Sequence, residues 1–432
     1  MSNKEERGRA KKSKDEQRRR ENKRSEMKPE TIKFLRSRFR EYYLEVSLEM
    51  PPQLERREWG FILFDDMPKF VMRRHKSFST RSELVDYIRT SVPAHVYHSA
   101  ACYGRPGAPT MREKGWLGAD LIFDLDADHL RNAPSSYNEM LDFVKIETMK
   151  LLDFLTDDFG FAASDVHVVF SGGRGYHIHV RDPRVFELES SERREIVDYL
   201  TGRGLEVSRF ISEGQAEGDF GVETADVIRC SPADSPGWGK RVNRSMISFV
   251  EQIRSLDEKE AVKVLSSVEG IGKRNASRFR QSLMRADVLE RIRRGDSLDL
   301  FKGSSKVWRP LIEGYLEDDG VSLGFSRDLE SGETDEPVTT DVKRLIRFPL
   351  SLHGGTGLRV TPLTISGLAS FDPLRDAVVF GDRPMEVCLR GPFSMEMMGE
   401  SFDLDEGPTV LPQYAAVFLA ARKIAELGKA LD

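Results

Sequence analysis

The chain has 432 residues, 39% of them hydrophobic and 32% charged, and a formal net charge of −5. That length supports one large domain or two to three ordinary ones with ample core, and no apolar run approaches the roughly 18 residues needed to span a bilayer. The N-terminus lacks the apolar stretch of a secretion signal, so the protein is expected to work inside the cell, and three scattered cysteines (Cys102, Cys230, Cys388) exclude a disulfide framework and a four-cysteine zinc site.

Residues 1–28 carry twelve Lys/Arg against six Asp/Glu, leaving −11 for the rest. A mixed-charge tail without apolar periodicity is expected to be disordered, either merely solvated or brushing nucleic-acid phosphates. The remainder is acidic, so any grip on nucleic acid has to come from local basic patches. A helix is predicted over residues 30–44, with Phe34, Leu35, Phe39, Tyr42 and Tyr43 as its apolar stripe, and Pro51-Pro52 closes that unit. Residues 57–64 read as a strand, Ser79 or Thr80 caps a helix, and residues 93–97 form another strand. Residues 99–118, with Arg105, Arg112 and Lys114, read as a basic loop, either solvated or facing a substrate.

Residues 118–128 carry the first informative pattern. At a period of two, Leu121, Phe123 and Leu125 share one face of a strand, and Ile122, Asp124, Asp126 and Asp128 share the other. Carboxylates that close repel one another unless a cation sits among them, and an all-oxygen set favours Mg²⁺ or Mn²⁺ over Zn²⁺. A water-facing acidic strand end is the competing interpretation. A helix is predicted from Ser135 to about Phe154, and residues 166–180 then read as two strands joined by a Gly-rich turn. There Ser171, Arg174, His177 and exposed backbone amides form a set suited to a phosphate chain, although an ordinary turn has the same glycines.

Residues 186–215 and 245–298 look largely helical, and the segment at about 240–320 reads as a helical insertion closing in an acidic stretch at 316–320. Within it, the turn Gly270-Ile271-Gly272 is either a packing corner between helices or a helix-hairpin-helix contact with a DNA phosphate. Residues 335–358 bring more carboxylates, Arg344, Arg347, and His353 before a Gly-rich turn, and residues 338–346 fit helix or strand equally. A last helix is predicted over about 413–427.

Three segments in this order carry a resemblance: hydrophobic residues running into Asp124-x-Asp126, then Ser171-Gly172-Gly173-Arg174-Gly175-Tyr176-His177, then Arg344-Leu345-Ile346-Arg347-x-Pro349-x-Ser351-Leu352-His353. With residues 57–61 and 115–120, they resemble the catalytic small subunit of the archaeal and eukaryotic replicative DNA primase, over nearly the whole chain from about residue 30. The last two look archaeal. The resemblance implies an α/β (α+β) fold, a primase-polymerase catalytic core of mixed sheets flanked by helices over residues 29–432. It implies metal-binding, catalytic carboxylates at Asp124, Asp126 and Asp335, with Asp341 the competing third, holding two Mg²⁺ or Mn²⁺ ions. Ser171, Arg174, His177, Arg347 and His353 would hold the phosphates of the incoming nucleotide.

Two glycines depart from the family: Gly173 stands where eukaryotic members often have a second basic residue, and Gly355 where many archaeal members have a lysine. Many relatives also carry a Cys/His zinc knuckle between the first two motifs; residues 129–165 contain no cysteine and only His129, so none is expected. The implied activity is synthesis of short primers from nucleoside triphosphates on a single-stranded DNA template. The implied partner is an iron–sulfur-containing large subunit in a heterodimer, with no membrane involved and a cytoplasmic place of work, on the nucleoid during replication. The same residues would serve a stand-alone repair or end-joining primase-polymerase, and purely structural carboxylates would leave a nucleotide- or nucleic-acid-binding module.

Overall fold

The computed structural model describes residues 27–67, 69–128, 130, 133–134, 136–205, 210–216, 225–298, 300–301, 303–316 and 332–428. All but the last two residues of the basic tail, together with His129 and residues 317–320 of the acidic stretch, lie outside the described residues. The chain divides into two compact units, one of Met1–Thr148, Ala163–Arg193 and Thr334–Asp432, the other of Met149–Ala162 and Arg194–Glu333.

In the first unit the opening helix, Pro29–Glu45, buries Leu35, Phe39 and Tyr43, four residues apart and hence on one stripe. A second helix, Arg81–Ser91, starts in a reciprocal cap: the Glu83 amide donates to the Thr80 hydroxyl, and the Glu83 carboxylate accepts from the Ser79 amide at 2.8 Å. Both helices pack with β1 (Arg57–Leu63) in one apolar core, which includes Trp59, Phe61, Ile88 and Phe348. The strand β2 (Arg73–Lys76) borders β1, and on its other side lies β3 (Pro93–Tyr103).

β3 overturns the prediction of a loop from residue 99. Its second half is built of small side chains, Ser99, Ala100, Ala101 and Cys102, which let it pass through the centre of the unit fully buried and pair with β4 (Trp116–Ala119). Lys114, assigned to the basic loop, is also buried, its ammonium 3.5 Å from the equally buried Glu58.

A second sheet holds β5 (Leu121–Asp126), β6 (Val166–Phe170) and β7 (Gly175–Val180), with β7 between the other two. Its alternation is weaker than the sequence pattern suggests: Ile122, on the acidic face, is as buried as Leu121 and Phe123. Likewise His179 shares the His177 face of β7 but lies against His98 of β3, ring centroids 6.1 Å apart, beneath the surface.

The second unit is mostly helical but includes a hairpin of β8 (Ile211–Ala216) and β9 (Ala225–Cys230), and β8 corrects the end of the segment 186–215 read as largely helical. The turn at Gly270, with φ +86, joins helices Glu258–Leu265 and Lys273–Leu283. Leu265, Val268, Ile271, Ala276 and Phe279 around it are all buried, which is what a packing corner requires.

Back in the first unit, residues 338–346 divide between both candidate conformations. Pro337 starts a short helix, Glu336–Thr340, and β10 (Leu345–Arg347) then pairs with β3. β11 (Thr361–Leu363) joins β6, and β12 (Pro384–Leu389), β13 (Phe393–Met397), β14 (Glu400–Leu404) and β15 (Gly407–Pro412) follow. The last helix spans Gln413–Ala421 rather than reaching 427, because Lys423 turns the chain at φ +63 and β16 (Ala425–Leu427) pairs with β12. The buried Glu426 on β16 accepts from the Lys28 amide at 3.2 Å and from the Thr31 hydroxyl, tying the first helix to the last strand.

Candidate active site

The register of β5 on β7 sets Asp124 opposite His177 and Asp126 opposite Gly175, so carboxylates and imidazole emerge on the same face. His177 Nε2 lies 3.4 Å from Asp124 Oδ1. In the turn before β7 the Ser171 amide donates to the Gly175 carbonyl at 2.9 Å, and the Ser171 hydroxyl accepts from the Gly173 amide at 3.2 Å. Two glycines here are required by space. A Cβ at Gly172, where φ is +76, would fall 2.7 Å from the His353 Cβ, and one at Gly175 would fall 2.1 Å from the Leu125 carbonyl. Gly175→Ala should therefore push β7 off β5 and destabilise the protein by about 1–3 kcal/mol, read as a lower denaturant midpoint.

The third segment reaches the same place by two routes. The Asp335 amide donates to the Asp124 carbonyl at 2.9 Å, and the Thr334 hydroxyl to that carbonyl at 3.3 Å, which sets Asp335 beside the acidic strand. Asp341 instead closes the following turn, its exposed carboxylate accepting from the Lys343 amide at 2.9 Å. β10 then runs along β3, so Arg347 lies over the Tyr97 ring, 5.2 Å from its centroid, with Nη1 2.7 Å from the buried His95 Nδ1. His353 packs edge-on against His95, centroids 5.0 Å apart, and its Nδ1 accepts from the Gly355 amide at 3.2 Å.

Asp124, Asp126, Ser171, Arg174, His177, Arg347 and His353 all line one cleft of ≈ 550 Å³. Asp335 adjoins it through Asp124 and is not part of the lining. Sequence reasoning assigned no role in the site to several other lining side chains, among them Phe70, Tyr97, Thr356 and three cations, Arg344, Arg422 and Lys423. Arg344 sits inside the third segment and was legible as its neighbour Arg347 was. Arg422 and Lys423 follow an apolar helix and carry no motif. The Arg422 guanidinium stacks 4.2 Å over the Tyr137 ring, and the Tyr137 hydroxyl donates to the Gly173 carbonyl at 2.6 Å.

Burial, then the charges of Asp126 and Asp335, push the Asp124 carboxyl up to about 7, against the pull of Arg344 and Arg347. Burial with Arg347 and Arg344 pushes His177 down to about 3, and burial with Arg347 holds His353 well below its usual range, so both imidazoles are neutral at physiological pH. Arg174 lies 3.8 Å from Asp126 and closer still to Asp128. Among the described residues no three His, Cys, Asp or Glu side chains already enclose a metal-sized space. The donor chemistry nonetheless fits a hard divalent cation: two carboxylates two residues apart on one strand, a third beside them, and one whose ionisation burial and its like-charged neighbours disfavour.

The family described as DNA primase small subunit matches residues 123–365. A protein named DNA primase small subunit PriS from Methanothrix thermoacetophila is 56% identical over 406 residues, covering 93% of this chain and 100% of that protein. Proteins of the same name from Methanococcoides burtonii and Methanocella arvoryzae are each 46% identical, over 91% and 93% of this chain and 98% and 99% of their own lengths. At that identity over nearly the full length, this chain belongs to the DNA primase small subunit family.

Proposed function

We propose that this chain catalyses template-directed primer synthesis on single-stranded DNA. The 3′-oxygen of one nucleotide attacks the α-phosphorus of the next triphosphate, the bond to pyrophosphate breaks, and the hydroxyl proton is released. Support comes above all from the meeting of Asp124, Asp126 and Asp335 with Arg174, Arg347, His177 and His353 around one cleft. The three carboxylates would hold Mg²⁺ or Mn²⁺, which when bound acidifies the attacking hydroxyl and offsets charge on the departing oxygen. Arg174 and Arg347 hold the triphosphate charge, fixing the attack line by position. The neutral imidazoles of His177 and His353 offer hydrogen bonds without adding charge, and the amides of the Ser171–Gly175 turn complete the phosphate cradle.

The relatives' name, small subunit, implies a large-subunit partner. An iron–sulfur cluster in that complex would belong to the partner, since this chain's three cysteines cannot ligate one. No zinc knuckle is assigned to residues 129–165. No helix of the described residues is long and apolar enough to cross a membrane.

The test is incorporation of labelled nucleotide on single-stranded template, with and without divalent cation and with and without the large subunit. Metal-independent incorporation, or none under any condition, would remove the assignment. Arg347→Ala should raise the nucleotide KM about 10–100-fold with kcat changed far less, as loss of a charged contact to a bound anion predicts. An unchanged KM would take Arg347 out of the phosphate site.

A further inference from the structure

We infer that Arg422, with Lys423 beside it, forms a second phosphate-binding wall that grips the triphosphate of the incoming nucleotide beside the Ser171–Gly175 turn. This rests on the primer-synthesis reading of the same cleft and adds residues from a part of the chain with no motif. Arg422 and Lys423 line the cleft together with Arg174, Ser171 and His353. The Arg422 guanidinium is half-buried, and among the described residues no carboxylate pairs with it or with the Lys423 ammonium. A cation withdrawn from water into a cleft, and given no anion of its own, is costly unless a ligand brings one.

Its position is also built. The ring of Tyr137 lies 4.2 Å beneath the guanidinium and that of Phe418 5.2 Å from it, and two flanking faces restrict the side chain's freedom before anything binds. Through the Tyr137 hydroxyl, 2.6 Å from the Gly173 carbonyl, the same stack is joined to the glycine turn. Within that turn Arg174 is the one cationic side chain, and part of its charge is already committed to Asp126 and Asp128; a Cβ at Gly173 would approach His353 Nε2 tightly, at 3.2 Å. Lys423 is held in the left-handed region, φ +63, and its ammonium lies over the Phe70 ring at the cleft, 5.6 Å from the centroid. Strain of that kind at a non-glycine residue is retained where the surroundings impose it.

The experiment compares wild type, Arg422→Ala, Arg422→Lys and Asp124→Ala, each checked for a melting temperature no lower than that of wild type. Two quantities are read: the KM for nucleotide in elongation of a preformed primer, and the inhibition constant of inorganic tripolyphosphate. Arg422→Ala should raise both about 10–100-fold with little change in kcat or in DNA affinity, and Arg422→Lys should recover part of the loss. Normal KM and inhibition constants in Arg422→Ala, or a loss confined to DNA affinity, would overturn the assignment. The underlying reading fails separately: an Asp124→Ala protein that still elongates would sink it, whatever Arg422 does.

Discussion

Asp124→Ala and Asp126→Ala are each expected to abolish nucleotide incorporation, by at least about a thousandfold, while leaving a folded protein. Both side chains line the cleft, and the backbone that carries them is fixed by β7 and by the Asp335 amide rather than by the carboxylates. The fold should even gain. Ionised Asp124 is disfavoured by burial and by Asp126 and Asp335, so its folded pKa, about 7, lies above its unfolded value. A group shifted in that direction keeps its full contribution below the unfolded pKa and loses it as pH rises through the folded one. Relative to wild type, Asp124→Asn should therefore be equal in stability near pH 4 and more stable by about 1–3 kcal/mol at pH 8, in chelator. Urea midpoints of the two proteins across that range provide the check. A double mutant that still incorporates nucleotide, or an Asp124→Asn whose stability relative to wild type falls as pH rises, would contradict the assignment.

The second large effect concerns a carboxylate that does no chemistry. Asp120, just before the acidic strand, accepts from Arg57 Nη2 with both oxygens at 3.1 Å and from Arg181 Nε at 3.3 Å, and Arg57 and Asp120 are only 2% and 5% exposed. Arg57 further donates to the Ser99, Ala100 and Pro52 carbonyls, and Arg193 donates to the Asp120 and Ala119 carbonyls, so this one cluster clamps β1, β3 and the β4–β5 junction. Removing Asp120 leaves the buried Arg57 guanidinium and the partly exposed Arg181 without their anion. Asp120→Ala is expected to cost about 3–5 kcal/mol and to yield little soluble protein, whereas Asp120→Asn keeps the acceptors in part and should cost less. Equilibrium unfolding of the soluble fraction measures this; a midpoint within error of wild type for Asp120→Ala would refute the clamp.

These two aspartates show how far the sequence alone reaches. The spacing that singled out Asp124 and Asp126 depends only on a strand's period of two, and the structure keeps it. Depth is not encoded in that period: His179 has the same parity as His177, yet it is sealed against His98 because β3 passes beneath it. Pairings distant in sequence were equally invisible. Lys114 looked like part of a basic loop, and only the fold brings Glu58 to it. Residues 211–215 read as helical, and only the distant β9 supplies the partner that makes them part of a strand. The position of Asp335 beside Asp124 rests on a backbone hydrogen bond from residue 335 to residue 124, which no local pattern announces.

Glu426 fastens together parts of the chain that lie nearly 400 residues apart in sequence. It accepts from the Lys28 amide and the Thr31 hydroxyl, and Arg422 stands only a few residues ahead of the strand that carries it. The first helix, β16 and the Arg422 side of the cleft therefore share one anchor, so a change at Glu426 would be felt in all three.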